Sequence, residues 1–418
     1  MGSCRKQNAR SNVDVFGARR DGNSIVFEGA ITKEGEDALR KSRINFNIKA
    51  DFIPGYNKTI DINTTKPGII NGVITWNRVL LYEEIISYVR SLPSRSTKNR
   101  KITVKAIGKS YEKRPIYLVK IEHLGANHVV FFDAGIHARE WLSIMTAMNV
   151  IQRVLLADER DHVNLMNWYI VPMVNPDGFL YSQNNFSFHR GNKNFTGCPK
   201  WCKVCGVDLN RNFAFKWEKL EENLICSWVW PGRGPASEPE TIALSNTLLK
   251  YSHNVILYIA LHTYWCKFFY PWGYKQKKVK DYKDLIKAAL NAAKPMSEVS
   301  VDPKTCTFAP EHAGQVTPSG GGADDFARAM AKVKYVYTLE LQKSGLYGYH
   351  PYDHEVGPFV EANYEGLKKI SIYVDSQYQK SSKKIVRDIH VKNVEVSRST
   401  YVHRFSICLY FSLYIIAL

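Results

Sequence analysis

Two residues in one short turn have the chemistry of metal ligands. His137 and Glu140 stand three residues apart, just after the run 128–133, whose apolar, β-branched and aromatic residues predict a buried strand. Gly135 ends this strand, and an α/β sheet usually presents its chemistry where strands end. Histidine nitrogen and carboxylate oxygen both suit Zn²⁺, and a catalytic site needs three such ligands with one position left open. A surface histidine beside a salt-bridged glutamate would give the same short pattern, so its meaning depends on the rest of the chain.

Two later strand-like runs supply a third ligand and an acid. The apolar run 255–261 ends on His262, and the run 335–341 carries Glu340 among residues typical of a buried strand. A buried carboxylate without a partner is costly, so Glu340 is either half of a core ion pair or a general base acting on metal-activated water. Two ligands close together and a distant third are typical of a metal held between separate strand ends.

With these residues in this order, the chain resembles the zinc carboxypeptidases of the A/B family from about Trp76 to Asp375. Six motifs carry the resemblance, in this order: Gly135–Trp141, Asn175–Gly178, Gly206–Phe213, Leu261–Tyr264, Tyr270–Tyr274 and Thr338–Leu341. The resemblance implies a metallocarboxypeptidase, which releases single C-terminal amino acids from peptides and proteins and holds one Zn²⁺ per chain. A peptide-binding or regulatory protein on the same scaffold is the second hypothesis, and the complete ligand set with Glu340 argues against it.

The resemblance also assigns roles position by position. It implies that zinc is held by His137, Glu140 and His262. It makes Glu340 the general base and later proton donor, and Arg190 the residue that holds the scissile carbonyl oxygen as negative charge develops. Six further residues match other parts of the family's site: Asn210 and Arg211 for the substrate's C-terminal carboxylate, Arg139 and Tyr264 for subsites further along the peptide, Tyr349 beside the specificity pocket, and Asp208 behind the zinc histidine.

General chemistry supports these roles. Zinc polarises a peptide carbonyl and lowers the pKa of its water towards about 7, and a positioned base contributes about 10² to 10⁴ in rate. A guanidinium such as that of Arg211 binds a carboxylate through two parallel hydrogen bonds, and Asn210 adds amide donors. Because only a chain end presents a free carboxylate there, this pair indicates an exopeptidase.

Substrate preference depends on the residues just before the pair Asp325–Phe326. With that pair as the anchor, Asp324 lies on the floor of the specificity pocket, where a carboxylate favours lysine or arginine at the end of the substrate. The extra glycine among residues 320–322 permits a slip that puts Ala323 on the floor instead. An apolar floor would favour aliphatic or aromatic ends.

The chain departs from the family at one hydrogen-bonding residue in this loop. The family has a mobile tyrosine there, and its position is taken by Thr317 in the anchored alignment or by Val316 without the anchor. Losing one hydrogen bond should weaken substrate binding by about 1 to 2 kcal/mol. The metal ligands, the base and the arginine are unaffected by this change.

Strand-like and helix-like runs alternate along the chain. Residues 143–156 and 238–251 have helical character and lie between the strand-like runs. This alternation predicts an α/β fold with a mixed sheet and helices on both faces, as in the zinc carboxypeptidases, preceded by a small α+β propeptide-like segment. At 418 residues the chain is long enough for about two to three domains.

We expect three segments along the chain. Residues 1–73 resemble a truncated form of the family's inhibitory propeptide with its activation linker. Residues 74–376 are expected to form the catalytic domain, and residues 377–418 a tail that is first basic and then apolar.

The first segment contains the elements expected of the second half of the propeptide. Glu36–Ser42 is expected to be a short helix and Ile44–Ile53 a strand. The stretch Asn57–Gly72 is expected to be the linker, so cleavage by a trypsin-like protease after Lys58 or Lys66 would activate the enzyme.

The apolar end of the tail, Phe405–Leu418, is fourteen residues long and too short to span a bilayer comfortably. It is either a signal for a lipid anchor, with Ser397 or Ser399 as the small residue, or sequence appended by readthrough or a gene-prediction error. A membrane partner is expected only in the first case.

The formal net charge of +18 raises nucleic acid or acidic glycans as partners. The lysines cluster at Lys275, Lys277, Lys278 and Lys280, and again within residues 380–384, without the interleaved aromatic residues of a nucleic-acid-binding motif. We therefore expect a solvated basic face, no nucleic-acid partner and a monomer.

The compartment follows from the family and not from a leader sequence. Met1–Asp21 is polar and basic and lacks the apolar core of a secretory signal. The resemblance and four Asn-x-Ser/Thr sequons, at Asn57, Asn63, Asn185 and Asn194, nevertheless favour an extracellular protein with a truncated N-terminus.

The chain has eight cysteines, several of them close together. The spacing of Cys198, Cys202 and Cys205 could indicate a structural metal site, but the family resemblance implies that Cys205 pairs with Cys226. Two further disulfides are expected, Cys198–Cys202 and Cys266–Cys306. Connectivity does not follow from one sequence.

Overall fold

The computed structural model describes residues 64–200, 204–298, 306–316, 318–345 and 348–399, together with residues 13–21, 24–31, 40, 62 and 202. For residues 13–31, 316 and 382–399 the description is limited to the backbone. The described strands are β1 (Val13–Asp21), β2 (Ser24–Ile31), β3 (Ile69–Ile70), β4 (Val73–Ile74), β5 (Arg100–Lys109), β6 (Pro115–His123), β7 (Val129–Ala134), β8 (Asn167–Val171), β9 (Val255–Thr263), β10 (Lys267–Tyr270), β11 (Ala309–His312) and β12 (Tyr335–Leu341). The described helices are α1 (Tyr82–Ser91), α2 (Trp141–Leu156), α3 (Pro176–Asn184), α4 (Pro239–Tyr251), α5 (Tyr282–Ser297), α6 (Ala313–Val316), α7 (Ala323–Ala329) and α8 (Asp353–Ser399).

Eight of these strands form one mixed sheet, in the order β11-β10-β12-β9-β7-β8-β6-β5. The four central neighbours, β12, β9, β7 and β8, run parallel, while β10 and β6 pair antiparallel with the outer two of them. The prediction of an α/β fold built on a mixed sheet is confirmed. The predicted strands and helices that carry the motifs lie within two residues of the observed bounds.

The central strands are covered on both sides. Every residue of β7 and β9 is buried, which is why each forms a continuous apolar run and not an alternating one. Phe131 packs against Tyr258 in one core cluster, whereas the neighbouring Phe132 packs against the ring of Trp168. Helix α2 packs against β7, β8 and β9, and helix α7 packs against β9 and β12.

The register of the parallel strands brings their carboxyl ends to one edge of the sheet. Glu340 of β12 lies opposite His262 of β9, and Leu261 of β9 lies opposite Ala134, the last residue of β7. The turn that carries His137 therefore starts beside the strand end that carries His262. Chemistry is concentrated at this edge, as is usual for parallel sheets.

Gly135 allows the turn after β7 to form. Its φ is +64°, and a Cβ at this position would lie 2.6 Å from Cγ1 of Ile144 in α2. Glycine alone tolerates both the backbone angle and the close approach of the helix. A larger residue here would move the two predicted ligands that follow.

The N-terminal segment contains a hairpin that we did not predict from the sequence. Strands β1 and β2 pair antiparallel around a short connection after Asp21. The available signal was the Asp21-Gly22 dipeptide, a pair that favours tight hairpin turns, between two stretches that contain β-branched residues. The predicted helix Glu36–Ser42, apart from a helical Arg40, and the predicted strand Ile44–Ile53 lie outside the described residues.

The last helix extends beyond the expected end of the catalytic domain, from Asp353 to Ser399. Two compact units divide the chain, Met1–Val374 and Asp375–Leu418. The apolar end Phe405–Leu418 lies outside the described residues, and the division into three segments stays a prediction. Within the described residues, none of the helices has the length and apolar character needed to cross a membrane.

Three disulfides are present among the described cysteines, and they correct two of the expected pairs. Cys198 bonds Cys205, Cys202 bonds Cys226, and Cys266 bonds Cys306. The Cys266–Cys306 prediction is confirmed, whereas Cys205–Cys226 and Cys198–Cys202 are wrong. A turn closed by the Cys202 N–H and the carbonyl of Pro199 bends the chain so that Cys198 meets Cys205 and leaves Cys202 for Cys226. The sulfurs that resembled a metal site are used in these bonds.

Glu240, in the first turn of α4, should make stability depend on pH. Burial raises its pKa to about 7, opposed by hydrogen bonds that include one from the Tyr111 N–H at 2.8 Å. The folded state therefore favours the protonated acid, so this contribution is complete below the ordinary pKa of glutamate and is lost as the pH rises through about 7. We expect the free energy of unfolding to fall, relative to Glu240→Gln, by up to about 1.4 kcal/mol per pH unit across that window.

The free energies of unfolding of the wild type and Glu240→Gln are measured with urea at several pH values between the ordinary glutamate pKa of 4.5 and the raised pKa of about 7. Glu221→Gln, at an exposed position, is the matched control and should follow the wild type. Parallel pH curves for the wild type and Glu240→Gln would show that Glu240 does not control the dependence.

Candidate metal centre

His137, Glu140 and His262 converge at the carboxyl edge of the sheet. Nδ1 of His137 lies 2.7 Å from Oε1 of Glu140, and Nδ1 of His262 lies 3.0 Å from Oε2 of the same carboxylate. The two Nδ1 atoms are 3.1 Å apart. All three side chains are buried, and their ligand atoms form a group able to hold one metal ion.

The donor set fits Zn²⁺. Two imidazole nitrogens and one carboxylate are the ligands of many catalytic zinc sites, which keep a further position open. Both histidines direct the same ring atom, Nδ1, towards the shared carboxylate. The two Nδ1 atoms also lie close to each other, and a cation among them would attract both nitrogens and the carboxylate. These three side chains are the predicted ligand set.

Electrostatics prepares the carboxylate for a cation. Burial by itself would raise the pKa of Glu140, but the neighbouring His137 and His262 hold that pKa far below its usual value. Burial opposes a charge on His262 as well, yet the adjacent Glu140 carboxylate raises the pKa of His262 to about 9. Because a histidine binds metal only in its neutral form, metal affinity should fall as the pH falls.

Asp208 supports the ligand His137 from behind. Its Oδ1 lies 3.0 Å from Nε2 of His137, which leaves Nδ1 directed at the ligand group. Its Oδ2 accepts hydrogen bonds from Nε and Nη2 of Arg190, at 3.1 and 2.9 Å. One carboxylate thus positions a predicted ligand and the predicted carbonyl-binding arginine, and such outer partners fix the tautomer and orientation of metal-bound histidines.

Glu340 lies beside the ligand group and forms no ion pair with a lysine or arginine of the described residues. Its Oε2 is buried and accepts no hydrogen bond from the described residues, and no described lysine or arginine forms an ion pair with it. Burial raises the pKa of Glu340 to about 7, with His262 opposing the rise. The core ion pair that we considered from the sequence is therefore absent in the described part of the chain.

Asn210 and Arg211 lie in the short 3₁₀ turn Leu209–Arg211, which Asp208 caps. Oδ1 of Asn210 accepts a hydrogen bond from the N–H of Ala323 at 2.9 Å, and Nη1 of Arg211 donates to the carbonyl of Asn210 at 2.8 Å. Arg211 is half-buried. These contacts connect the turn to the start of α7.

The three residues on which the pocket alignment depends lie at the start of α7 and have different environments. Asp325 accepts hydrogen bonds from the N–H groups of Gly273 and Tyr274, at 2.9 and 2.8 Å. Ala323 is buried within the main core cluster. Asp324 has neither role: burial raises its pKa, and Arg211 is among the charges that oppose this rise.

Arg139 is less accessible than the sequence suggested. It is 1% exposed, and its guanidinium lies over the rings of Trp228 and Tyr349, at 4.8 and 4.4 Å from their centroids. Tyr264 contacts Tyr349 with ring centroids 5.2 Å apart. Trp228 was not predicted, because no sequence pattern distinguishes a tryptophan two residues after Cys226. Thr317 and the side chain of Val316 lie outside the described residues.

Comparison with known proteins identifies the family. Residues 88–366 match the family described as zinc carboxypeptidase, which is more than half of the chain. The chain belongs to the zinc carboxypeptidase family. The predicted family is confirmed, and with it the prediction that the chain is a metallocarboxypeptidase, a peptide hydrolase.

Individual relatives of this carboxypeptidase carry both subfamily names. It is 31% identical to carboxypeptidase B of Astacus astacus over 307 residues, which cover 72% of this chain and 99% of that protein. It is 32% identical to mouse carboxypeptidase A4 over 282 residues, but the match spans only 64% of each chain. Identity therefore does not separate the two subfamilies.

A solved structure matches the same region. It is bovine thrombin-activatable fibrinolysis inhibitor in complex with a tick carboxypeptidase inhibitor, 27% identical to this carboxypeptidase with a TM-score of 0.64. The match covers 72% of this chain and 99% of that chain. It confirms the fold of the region that holds the ligand group.

Replacing Asp208 should weaken metal binding by this carboxypeptidase. Asp208→Asn removes the negative charge that orients His137 and Arg190, and loss of such a partner typically costs about 10- to 100-fold in metal affinity. Zinc affinity is measured by competition with a chelator at fixed pH. Asp284→Asn, at an exposed acid that pairs with Lys334, is the control and should bind like the wild type. Equal affinity for Asp208→Asn and the control would contradict this role.

Proposed function

We propose that the chain is a zinc-dependent exopeptidase that removes single amino acids from the C-termini of peptides and proteins. The observation that carries the proposal is the convergence of His137, Glu140 and His262 beside an unpaired Glu340. A regulatory protein on this scaffold would have no need of a carboxylate beside the ligands whose buried oxygen has no hydrogen-bond partner among the described residues, since such a group is costly to bury.

His137, Glu140 and His262 would hold one zinc ion through two nitrogens and a carboxylate. When bound, zinc supplies a Lewis acid that polarises the peptide carbonyl and makes water a better nucleophile. The chain's own residues perform the rest of the reaction.

Glu340 is the general base. Its raised pKa of about 7 lets it take a proton from the attacking water near neutral pH and deliver that proton to the leaving amine. Arg190 stabilises the negative charge that develops on the carbonyl oxygen, and Asp208 keeps the guanidinium in place through two hydrogen bonds.

Asn210 and Arg211 bind the free carboxylate at the end of the substrate. The guanidinium of Arg211 offers a planar pair of donors, and Asn210 is fixed by its hydrogen bond to the N–H of Ala323. Tyr264 and Tyr349 contribute aromatic surface near the substrate. The guanidinium of Arg139 lies over the rings of Trp228 and Tyr349 and positions them. Arg139 contributes to subsite binding through these rings.

We also propose that the enzyme acts outside the cell. Three disulfides among the described residues favour an oxidising compartment. Residues 1–73 would act as a propeptide-like segment that a trypsin-like protease removes, residues 74–376 as a monomeric catalytic domain, and residues 377–418 as a separate tail. Lys66 is one of the two proposed cleavage points. Its side chain is 51% exposed, and its Nζ lies 3.5 Å from Oδ2 of Asp353.

For specificity we propose a preference for C-terminal lysine or arginine. Two observations support the alignment that puts Asp324 on the pocket floor. The Asp325 carboxylate accepts hydrogen bonds from the N–H groups of Gly273 and Tyr274, and Ala323 is buried in the core cluster. Asp324 is therefore the acid that remains to contact a substrate side chain. An apolar end in this pocket would leave the carboxylate without a partner.

Glu340→Gln should nearly abolish catalysis and leave the metal bound. Glutamine keeps the shape of the side chain but cannot accept and return a proton, so we expect the rate to fall by about 10² to 10⁴. The assay follows release of the C-terminal residue from an N-blocked dipeptide after trypsin treatment, with zinc content measured on the same sample. Glu298→Gln, at an exposed site, is the control. Substantial activity in a zinc-loaded Glu340→Gln protein would refute the assigned role.

Asp324 should set the preference between basic and aromatic ends. We expect the wild type to release C-terminal arginine at least tenfold faster than phenylalanine in kcat/KM, a difference of about 1.4 kcal/mol. Asp324→Ala should reverse or remove this preference while activity on phenylalanine persists. Asp325→Asn is the matched comparison, because it should lower stability through Gly273 and Tyr274 without reversing the preference. Faster release of phenylalanine, unchanged in Asp324→Ala, would favour the slipped alignment.

A further inference from the structure

Two of the four Asn-x-Ser/Thr sequons lie wholly in the described part of the chain. They are Asn185-Phe186-Ser187 and Asn194-Phe195-Thr196. Both satisfy the acceptor pattern for N-linked glycans, so the pattern alone does not distinguish them. Their surroundings in the folded protein differ sharply.

Asn185 presents a free amide to solvent. It follows the last residue of α3, and its N–H donates to the carbonyl of Tyr181 at 2.9 Å. Its side chain is exposed and makes no hydrogen bond with the described residues. A group attached to its Nδ2 would extend away from the protein without breaking a contact.

The amide of Asn194 is tied to a buried acid. Its Nδ2 donates to both carboxylate oxygens of Glu238, at 3.2 and 3.0 Å, and its Oδ1 accepts from the N–H of Thr196. Glu238 is 2% exposed and also accepts hydrogen bonds from Asn192 and Ser237, both at 2.8 Å. The amide nitrogen is therefore directed into the protein.

Attachment of a glycan has different consequences at the two positions. In the transfer, the amide Nδ2 forms a bond to C1 of the first sugar of a lipid-linked oligosaccharide, the bond from C1 to the lipid diphosphate breaks, and the amide loses one of its two protons. Asn185 loses no protein contact in this step. Asn194 would keep one N–H, although its Nδ2 now donates to both carboxylate oxygens of Glu238. The sugar would also have to occupy space beside the buried Glu238.

A recess of about 240 Å³ adjoins Asn194, and Glu238 forms part of its wall. The recess does not free the amide, because Nδ2 is directed at that carboxylate. A sugar could enter only after the Asn194 side chain turned away from Glu238. This would leave the buried acid with fewer donors, which is costly.

We propose that Asn185 carries an N-linked glycan and that Asn194 does not. The inference rests on the proposed extracellular location, since the transfer machinery belongs to the secretory route. Transfer precedes folding, so the structure acts as a filter: chains modified at Asn194 lose the Glu238 contacts and do not reach the folded, secreted form.

The experiment uses the full chain, secreted from a eukaryotic host behind a cleavable leader peptide. Peptide mass spectrometry after removal of the glycans by an amidase, which converts a modified asparagine to aspartate, reads each sequon separately. We expect aspartate at position 185 and unmodified asparagine at position 194. Asn185→Gln should remove the glycan of this region, whereas Thr196→Ala, which destroys the second sequon, should not change it.

The same preparations are assayed for release of C-terminal arginine. Asn185 lies outside the proposed catalytic and binding residues, so Asn185→Gln should keep wild-type activity. A failure of the proposed function appears in this assay and a failure of the acceptor assignment appears in the masses, so the two are distinguished. A glycan on Asn194 of the folded secreted protein, or an unmodified Asn185 in it, would overturn the inference.

Discussion

The burial of the Glu140 carboxylate between His137 and His262 is the constraint on which the rest of the site depends. A carboxylate in the protein interior is stable only beside positive charge or donors, and here both histidines and the N–H of Thr263 lie within 3.2 Å of its oxygens. The partners come from different strand ends, so the contacts require β7 and β9 to be parallel neighbours in register. The fold and the ligand group therefore specify each other.

Asp208 extends this arrangement from the ligands to the substrate. The turn after it carries Asn210 and Arg211, while its carboxylate holds His137 and Arg190. The metal ligand, the carbonyl-binding arginine and the carboxylate-binding pair are thus positioned around one short segment. Because catalysis is sensitive to small displacements of such groups, a shared anchor lets one buried carboxylate control several distances together.

The sequence was sufficient to predict the strands whose residues share one environment, the buried interior of the sheet. Strands β7 and β9 were predictable because parallel strands buried on both faces are continuous apolar runs. Strand β12 was predictable because its residues are mostly apolar and buried, so that Glu340 stands out near its end. Long-range packing was not predictable. Arg139 is enclosed by Trp228 and Tyr349, which are distant from it in sequence, and the cysteine pairs depend on a turn at Pro199 that spacing does not reveal. The roles of the substrate-binding residues remain predictions.

The most direct test of the account is a zinc-edge anomalous diffraction measurement on crystals of the zinc-loaded, trypsin-treated protein. We predict one strong peak per chain, with Nδ1 of His137, Nδ1 of His262 and a Glu140 oxygen each at about 2.0 to 2.2 Å from it. The peak should disappear in His262→Ala crystals grown with the same zinc. A peak located elsewhere, or ligation through other residues with Glu140 left unbound, would contradict the central claim.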